Sequence, residues 1–321
     1  MSDNHLNTAA DEGRLSSTAF RLRDWIIGGA ILVALLLWVH FAVGWGPLLQ
    51  PWQSISLSSI AVLLLLSFAS YLLRAIRIQA YFPELLQGRF LTTLRLSILH
   101  NFANNLLPMR AGEALFPILM RRHFGTSMTD STFSLIWIRL LDLHVITGIA
   151  LLSLILATPE WWWIPAIIVW MIALPLVLLL RETLKEHLGN DKGWQRLLHR
   201  IVDNAPPDGG RMSRIYLLTL LSWGSKFVAF AMVLQHFLPL PLWQSLAGII
   251  GAELSSVLPF HGIAGAGSYE VAMLAVLAPL GVNTSDALNG AVNLHLFLLG
   301  VTLLLGVASL LLPVREPLNK S

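Results

Sequence analysis

Residues 100–113 read HNFANNLLPMRAGE. Three asparagines, a helix-breaking proline, an arginine and a glutamate stand together in a chain that is otherwise strongly apolar. Hydrophobic residues make up 55% of the sequence and charged residues only 12%, against about 25% charged in soluble globular domains. Mean hydropathy is +0.69. The uncharged runs at Trp25–Trp45 and Leu57–Leu73 match the roughly 20 residues that span a bilayer. The chain therefore reads as an all-α, polytopic membrane bundle, and the polar stretch needs an explanation within the membrane.

The basic residues give the topology. Arg74, Arg77, Arg89, Arg121, Arg122, Arg181, Lys185, Lys192, Arg196, Arg200, Arg211, Arg214, Arg315 and Lys320 flank apolar runs on one side, whereas 46–56, 158–163 and 238–285 contain no Lys or Arg. The excess of positive charge on cytoplasmic loops predicts that both termini are cytoplasmic, in a cell (inner) membrane. Trp45, Trp52, Trp161, Trp162, Trp163 and Trp243 suit an outer interfacial belt. Arg14, Arg21 and Arg23 precede the first apolar run, which is too long for a signal-peptide core and is expected to remain as the first helix.

This orientation gives about six full spans, at 25–45, 57–77, 131–157, 163–181, 214–237 and 286–312. Two apolar regions remain. Residues 90–122 begin and end among cytoplasmic arginines and break at NNLLPMRAG, while 241–281 begin and end on the opposite side and break at LPFHGIAGAG. A single crossing by either would upset the charge pattern, so each is expected to enter and return. Non-helical backbone at membrane depth is tolerated only where protein or a watery cavity satisfies it, so both breaks should line an internal site.

An inverted repeat follows, about 57–157 and about 214–312. Each half is a span, a re-entrant hairpin and a second span, as in transporters built around broken helices. The domain expectation is a cytoplasmic tail at 1–24, a single membrane domain at 25–312 and a C-terminal tail at 313–321. The loop 182–213 carries Trp194, Leu197, Leu198, Ile201 and Val202 opposite Arg196, His199 and Arg200. Two readings of it are open: an interfacial helix on the cytoplasmic leaflet or a loop packed on the bundle.

A charge at the centre of a membrane helix costs about 2.5–3.5 kcal/mol on insertion scales, so the intramembrane charges are the site candidates. Gly112 and Glu113 are placed at the start of a returning half-helix whose N-terminal amides favour anions. Arg110 and those amides suit a phosphate, with Glu113 pairing an amine, a proton or Arg110. The plain alternative is a capped, neutralised half-helix. Glu270, with Ser268 as expected N-cap, stands at the second tip among Gly262, Gly265 and Gly267, which allow tight turns. Glu253 and His261 are weaker candidates.

Arg139 and Asp142 share a helix face and read first as a structural salt bridge, with Glu113 within their reach. His144, Lys226 and His295 read as single polar groups satisfied by neighbours, and Asn101, Asn104, Asn105, Asn289 and Asn293 as backbone-satisfying residues near the breaks. The absence of cysteine excludes disulfides, thiolate catalysis and cysteine-ligated metals. No H-E-x-x-H, G-x-S-x-G or P-loop pattern occurs. No enzyme class, metal or cofactor is expected, and no nucleic-acid patch is present.

NNLLPMRAGE at 104–113, RLLDL at 139–143, LPFHGIAGAGSYE at 258–270 and LGV at 280–282 resemble the lysylphosphatidylglycerol synthase transmembrane-region family, a flippase-like integral membrane domain found alone or fused to an aminoacyl-lipid synthase. The resemblance covers about 55–312. It implies movement between leaflets of a lipid with a phosphate headgroup, such as aminoacylated phosphatidylglycerol or a polyprenyl-phosphate-linked sugar. It places Pro108, Arg110, Gly112, Glu113, Arg139, Asp142, Pro259, Gly265, Gly267 and Glu270 in the candidate site. Members often carry an arginine where this sequence has Tyr269.

The short tail 313–321 leads to the expectation of a stand-alone member without the aminoacyltransferase domain. The expected activity is lipid translocation, with a lipid-modifying enzyme or glycosyltransferase as partner. Two alternatives remain open: a membrane-embedded transferase acting on lipid-linked sugars, and a non-catalytic partner of a lipid synthase that docks through 182–213.

Overall fold

The computed structural model describes residues 44–107, 112–180, 193–206, 208–255 and 263–313, with isolated positions before 44 and at 183. The expected span 25–45 and the residues Pro108, Arg110, Pro259, His261 and Gly262 lie outside the described residues or almost wholly so. Ten helices organise what is described: α1 Leu57–Tyr81, α2 Phe90–Leu106, α3 Gly112–Phe124, α4 Met128–Ala157, α5 Trp163–Leu179, α6 Gly193–Asp203, α7 Gly209–Phe237, α8 Leu242–Ser255, α9 Ser268–Leu277 and α10 Thr284–Ser309. No strand occurs among the described residues.

Four helices frame the bundle, and each begins at a polar cap. Ser56, Ser127, Asp208 and Asn283 accept from the backbone N–H of Ser59, Asp130, Arg211 and Ser285 at the starts of α1, α4, α7 and α10. These side chains satisfy amides that a helix start leaves unpaired. All four helices are long and apolar enough to cross a membrane. The stretch Ile263–Leu280 also meets that length and hydropathy, but its helix is broken at Ala264, which has φ 55°.

Between the frames lie two antiparallel hairpins. In the first, Arg89 Nη1 donates to the His123 carbonyl at 3.0 Å, closing the open end, while Gly112 packs on the backbone of Ala103 and Asn104 at the tip. In the second, Gln244 donates to the Leu280 carbonyl at 3.2 Å, and Gly251 packs on Ala272 and Val276. Their arms have 17, 13, 14 and 10 residues. At 1.5 Å per residue they reach about 26, 20, 21 and 15 Å, short of a hydrocarbon core of about 30 Å.

The two halves pack as exchanged copies. Helix α4 packs on its own returning arm α3 and on α8 of the other half, and α10 packs on its own α9 and on α2. Helices α1 and α7, the first of each half, lie side by side. They run antiparallel, because Ser70 donates to the Ser222 carbonyl and Arg77 to Thr219. The repeat is therefore inverted. The cores cross the divide: the cluster around Phe116, Met120 and Leu141 takes in Met212 and Ile215 of α7, and the cluster around Leu234, Ile249, Met273 and Leu277 takes in Leu63 of α1 and Val145 of α4.

Helix α6 settles part of the question left by the 182–213 loop. Trp137 Nε1 donates to the Ile201 carbonyl at 2.5 Å, and the Tyr81 hydroxyl donates to the Asn204 carbonyl. The C-terminal end of α6 is thereby held on the bundle, while Trp194 and Leu197 stay exposed.

Candidate functional site

Where the two halves meet, a cavity of about 660 Å³ opens between the hairpins. Helix α4 supplies its floor. The three-residue spacing puts Arg139 and Asp142 on one face, and they pair at 3.0 Å. Asp142 also accepts from Arg77 of α1 at 2.5 Å and from the Trp223 indole of α7 at 2.8 Å. One carboxylate thus joins three helices. Its side chain is only 5% exposed, and its surplus of donors offsets the cost of burying a charge.

Arg139 reaches in the other direction to the first hairpin, where its Nη2 meets Glu113 Oε1 at 2.8 Å. Asn104 Nδ2 donates to the same oxygen at 3.1 Å. Both groups also point at His100 Nε2, at 3.1 Å from Arg139 and 3.2 Å from Asn104. Since both are donors, Nε2 accepts, leaving Nδ1–H to donate to the Gly112 carbonyl at 3.0 Å. His100 is therefore neutral. Gly112 opens α3 and Glu113 sits in its first turn, half-buried, with its side chain 28% exposed. Pro117, one turn on and also on the cavity wall, removes the intrahelical donor for the Glu113 carbonyl.

The second half contributes Lys226 and Glu253, paired at 2.6 Å. The ammonium lies over Trp223 and Phe230, with its nitrogen 5.1 and 4.9 Å from the ring centroids. Arg74 also lies over this indole, its Cζ 5.0 Å from the ring centroid, and its Nη1 donates to Asn101 Oδ1 at 3.5 Å. Arg74 is 8% exposed and lines the cavity. Among the described residues no carboxylate lies within ion-pairing distance of it.

Glu270 is elsewhere. It is 1% exposed and is absent from the cavity wall. Its carboxylate accepts from the Gly267 amide at 2.8 Å and meets His295 Nδ1 at 2.6 Å, while His295 Nε2 faces the Ala264 carbonyl at 2.8 Å. Gly265 and Gly267 have φ 76° and 82°, which a side chain would oppose. Gly267, rather than the expected Ser268, is the N-cap of α9; the Ser268 hydroxyl donates to the Gly265 carbonyl.

The structure therefore brings Gly112, Glu113, Arg139 and Asp142 together and sets Gly265, Gly267 and Glu270 apart as a buried turn. Four participants went unread as site residues: Arg74, Arg77, His100 and Trp223. Arg74 and Arg77 were expected to flank the span as cytoplasmic charges; both are buried within the bundle. The reason is that α1 continues to Tyr81, which draws both arginines inside. His144 behaves as a satisfied neighbour, bonded to the Trp170 carbonyl at 2.9 Å and facing the Tyr216 hydroxyl at 3.1 Å. His295 is likewise satisfied by a neighbour, Glu270 of α9, at 2.6 Å.

An inverted bundle of membrane-length helices around an internal charged cavity defines a multi-pass membrane protein. The chain belongs to the lysylphosphatidylglycerol synthase TM region family, whose model matches residues 25–306. The match begins well before residue 55 and so takes in the first expected span. No curated protein matches the chain.

Proposed function

We propose that the protein is a lipid translocase, moving a phospholipid or a polyprenyl-phosphate-linked lipid between leaflets of the cell (inner) membrane. The observation that carries this reading is the cavity between opposed hairpins, in which Arg74 presents a buried cation with no carboxylate at ion-pairing distance among the described residues. A charged headgroup cannot cross hydrocarbon unaided; a cavity whose largely apolar wall carries Arg74, Arg139, Lys226 and three carboxylates gives that headgroup a route while the acyl chains stay in lipid. The short hairpin arms are read as re-entrant, and the basic flanks as placing both termini in the cytoplasm.

In this reading the chain itself is not an enzyme and works beside a lipid-modifying enzyme or glycosyltransferase. A transferase would need a free general base in the cavity. Glu113 and Glu253 are instead held in ion pairs at 2.8 and 2.6 Å.

The test is reconstitution into vesicles with chain-labelled lipid and a membrane-impermeant quencher. Wild-type protein is expected to expose inner-leaflet label. Glu113→Gln, which removes the charge that pairs with Arg139, is expected to slow exposure about tenfold, equivalent to about 1.4 kcal/mol in a barrier, with the protein still eluting as a folded species. Unchanged exposure in that variant would sink the assignment.

A further inference from the structure

Helix α6 carries more apolar surface than the bundle covers. Trp194, Leu197, Leu198, Ile201 and Val202 recur at i, i+3, i+4, i+7 and i+8, the spacing of a single apolar stripe along a helix. The stripe is divided. Ile201 packs on the core around Phe116 and Met120, whereas Trp194, Leu197 and Leu198 are exposed. At 1.5 Å per residue, the path from Ile201 back to Trp194 carries the stripe about 10 Å beyond that contact.

The level of the tether decides what lies there. Helix α4 ends at Ala157, close before Trp161, Trp162 and Trp163, which suit an interfacial belt. A hydrocarbon core of about 30 Å takes about twenty helical residues. Counted back from Ala157, they set the opposite boundary at Trp137, whose indole donates to the Ile201 carbonyl. Counted from Leu57, the first residue of α1, they end at Ile76. Tyr81, just beyond, donates to the Asn204 carbonyl. Both tethers thus fix the end of α6 at the edge of the bilayer, against α4.

The opposite face suits the same surroundings. Arg196 and Arg200 are exposed and lie one turn apart, with Asp203 as the one acidic residue of the helix. At this end of the bundle α3 finishes on Arg121 and Arg122, both exposed. Anionic headgroups complement such a face, and a helix with aromatic and leucine residues opposite its arginines lies in the interface plane.

We infer that α6 is a docking surface for the anionic leaflet at the basic end of the bundle. Trp194, Leu197 and Leu198 seat among the acyl chains, and Arg196 and Arg200 hold phosphate headgroups. The inference is independent of the translocase reading, since α6 contributes nothing to the cavity wall.

The chain has no cysteine, so Leu197→Cys and Arg196→Cys each accept a single nitroxide label. The full chain is reconstituted in vesicles of phosphatidylethanolamine with phosphatidylglycerol, and separately in phosphatidylcholine. Relaxation by oxygen reports lipid, and relaxation by a water-soluble nickel chelate reports water. In the anionic vesicles the oxygen-to-nickel ratio is expected to be about tenfold higher at Leu197→Cys than at Arg196→Cys, as for an apolar face about 5–10 Å into the headgroup boundary. Adding Arg196→Gln and Arg200→Gln to Leu197→Cys is expected to raise nickel access there by up to about twenty-five-fold, about fivefold for each arginine near a charged surface. The same pair is expected to change nothing in phosphatidylcholine.

Equal nickel access at the two labelled positions means that the helix stands in water and overturns the inference. A Leu197→Cys label closed to both oxygen and nickel means that protein covers the stripe, whether a second copy or a bound partner, and also overturns it. Nickel access unmoved by the two arginine substitutions in anionic vesicles overturns the assignment to anionic lipid.

Discussion

Both hairpins place a glutamate in the first turn of the returning arm, Glu113 in α3 and Glu270 in α9, yet the two carboxylates have opposite surroundings. Glu113 faces the cavity and is held by Arg139 from another helix. Glu270 is sealed in, holding the Gly267 amide and the His295 ring so that the turn beneath it stays fixed. An inverted repeat duplicates a backbone plan, and the charge at each tip then follows its neighbours. In the first half α4 offers Arg139 at the tip; in the second half the corresponding helix α10 offers His295.

The largest expected effect tests that division. Glu270→Ala removes one partner of a buried pair and strands the other, a loss that costs about 3–5 kcal/mol in comparable buried pairs. Chemical unfolding in detergent should show it. Glu113→Ala is expected to cost less than half as much, because its side chain is 28% exposed and Arg139 keeps Asp142. Equal losses at the two positions would break the contrast between an open tip and a closed one.

Much of this plan was legible in the sequence. The absence of Lys and Arg from 238–285 beside basic flanks around 90–122 predicted two hairpins of opposite orientation, and the helices break where NNLLPMRAGE and LPFHGIAGAG read as breaks. The spacing of Arg139 and Asp142 predicted their pairing. What the sequence concealed is rotational. Arg74 and Arg77 have the same composition signal as a cytoplasmic flank, and only the continuation of α1 to Tyr81 and its antiparallel contact with α7 turn them inward. Glu113 and Glu270 likewise look equivalent as letters. Which one opens on the cavity depends on long-range packing that no local pattern encodes.

A second contrast concerns glycine. Gly112 shows no left-handed backbone; its value is space, since a Cβ there would overlap the backbone of Asn104. Gly112→Ala is therefore expected to destabilise by about 1–3 kcal/mol, the range for forcing extra atoms into a packed site. It should also slow lipid movement, because the displaced segments carry Asn104 and Glu113. Thermal unfolding of the purified variant, followed with the vesicle assay, checks both. A variant as stable as wild type would mean that the first tip is loosely packed, contrary to the close approach of α2 and α3.

The smallest expected effect has the opposite sign and lies at the other tip. Ala264 adopts φ 55° and ψ 23°, a left-handed conformation that costs an L-residue about 1–2 kcal/mol. Glycine adopts it freely but loses about 0.5–1 kcal/mol of chain entropy on folding. Ala264→Gly is thus expected to stabilise by about 0.5–1 kcal/mol, the difference between those two effects. The Ala264 carbonyl still faces His295, so the turn keeps its tether. Since Glu270 and His295 lie off the cavity wall, lipid movement per folded molecule should stay at the wild-type rate. A stabilised variant with slowed transport would show instead that the second turn must flex during the cycle, making the closed tip a moving part and not a fixed support.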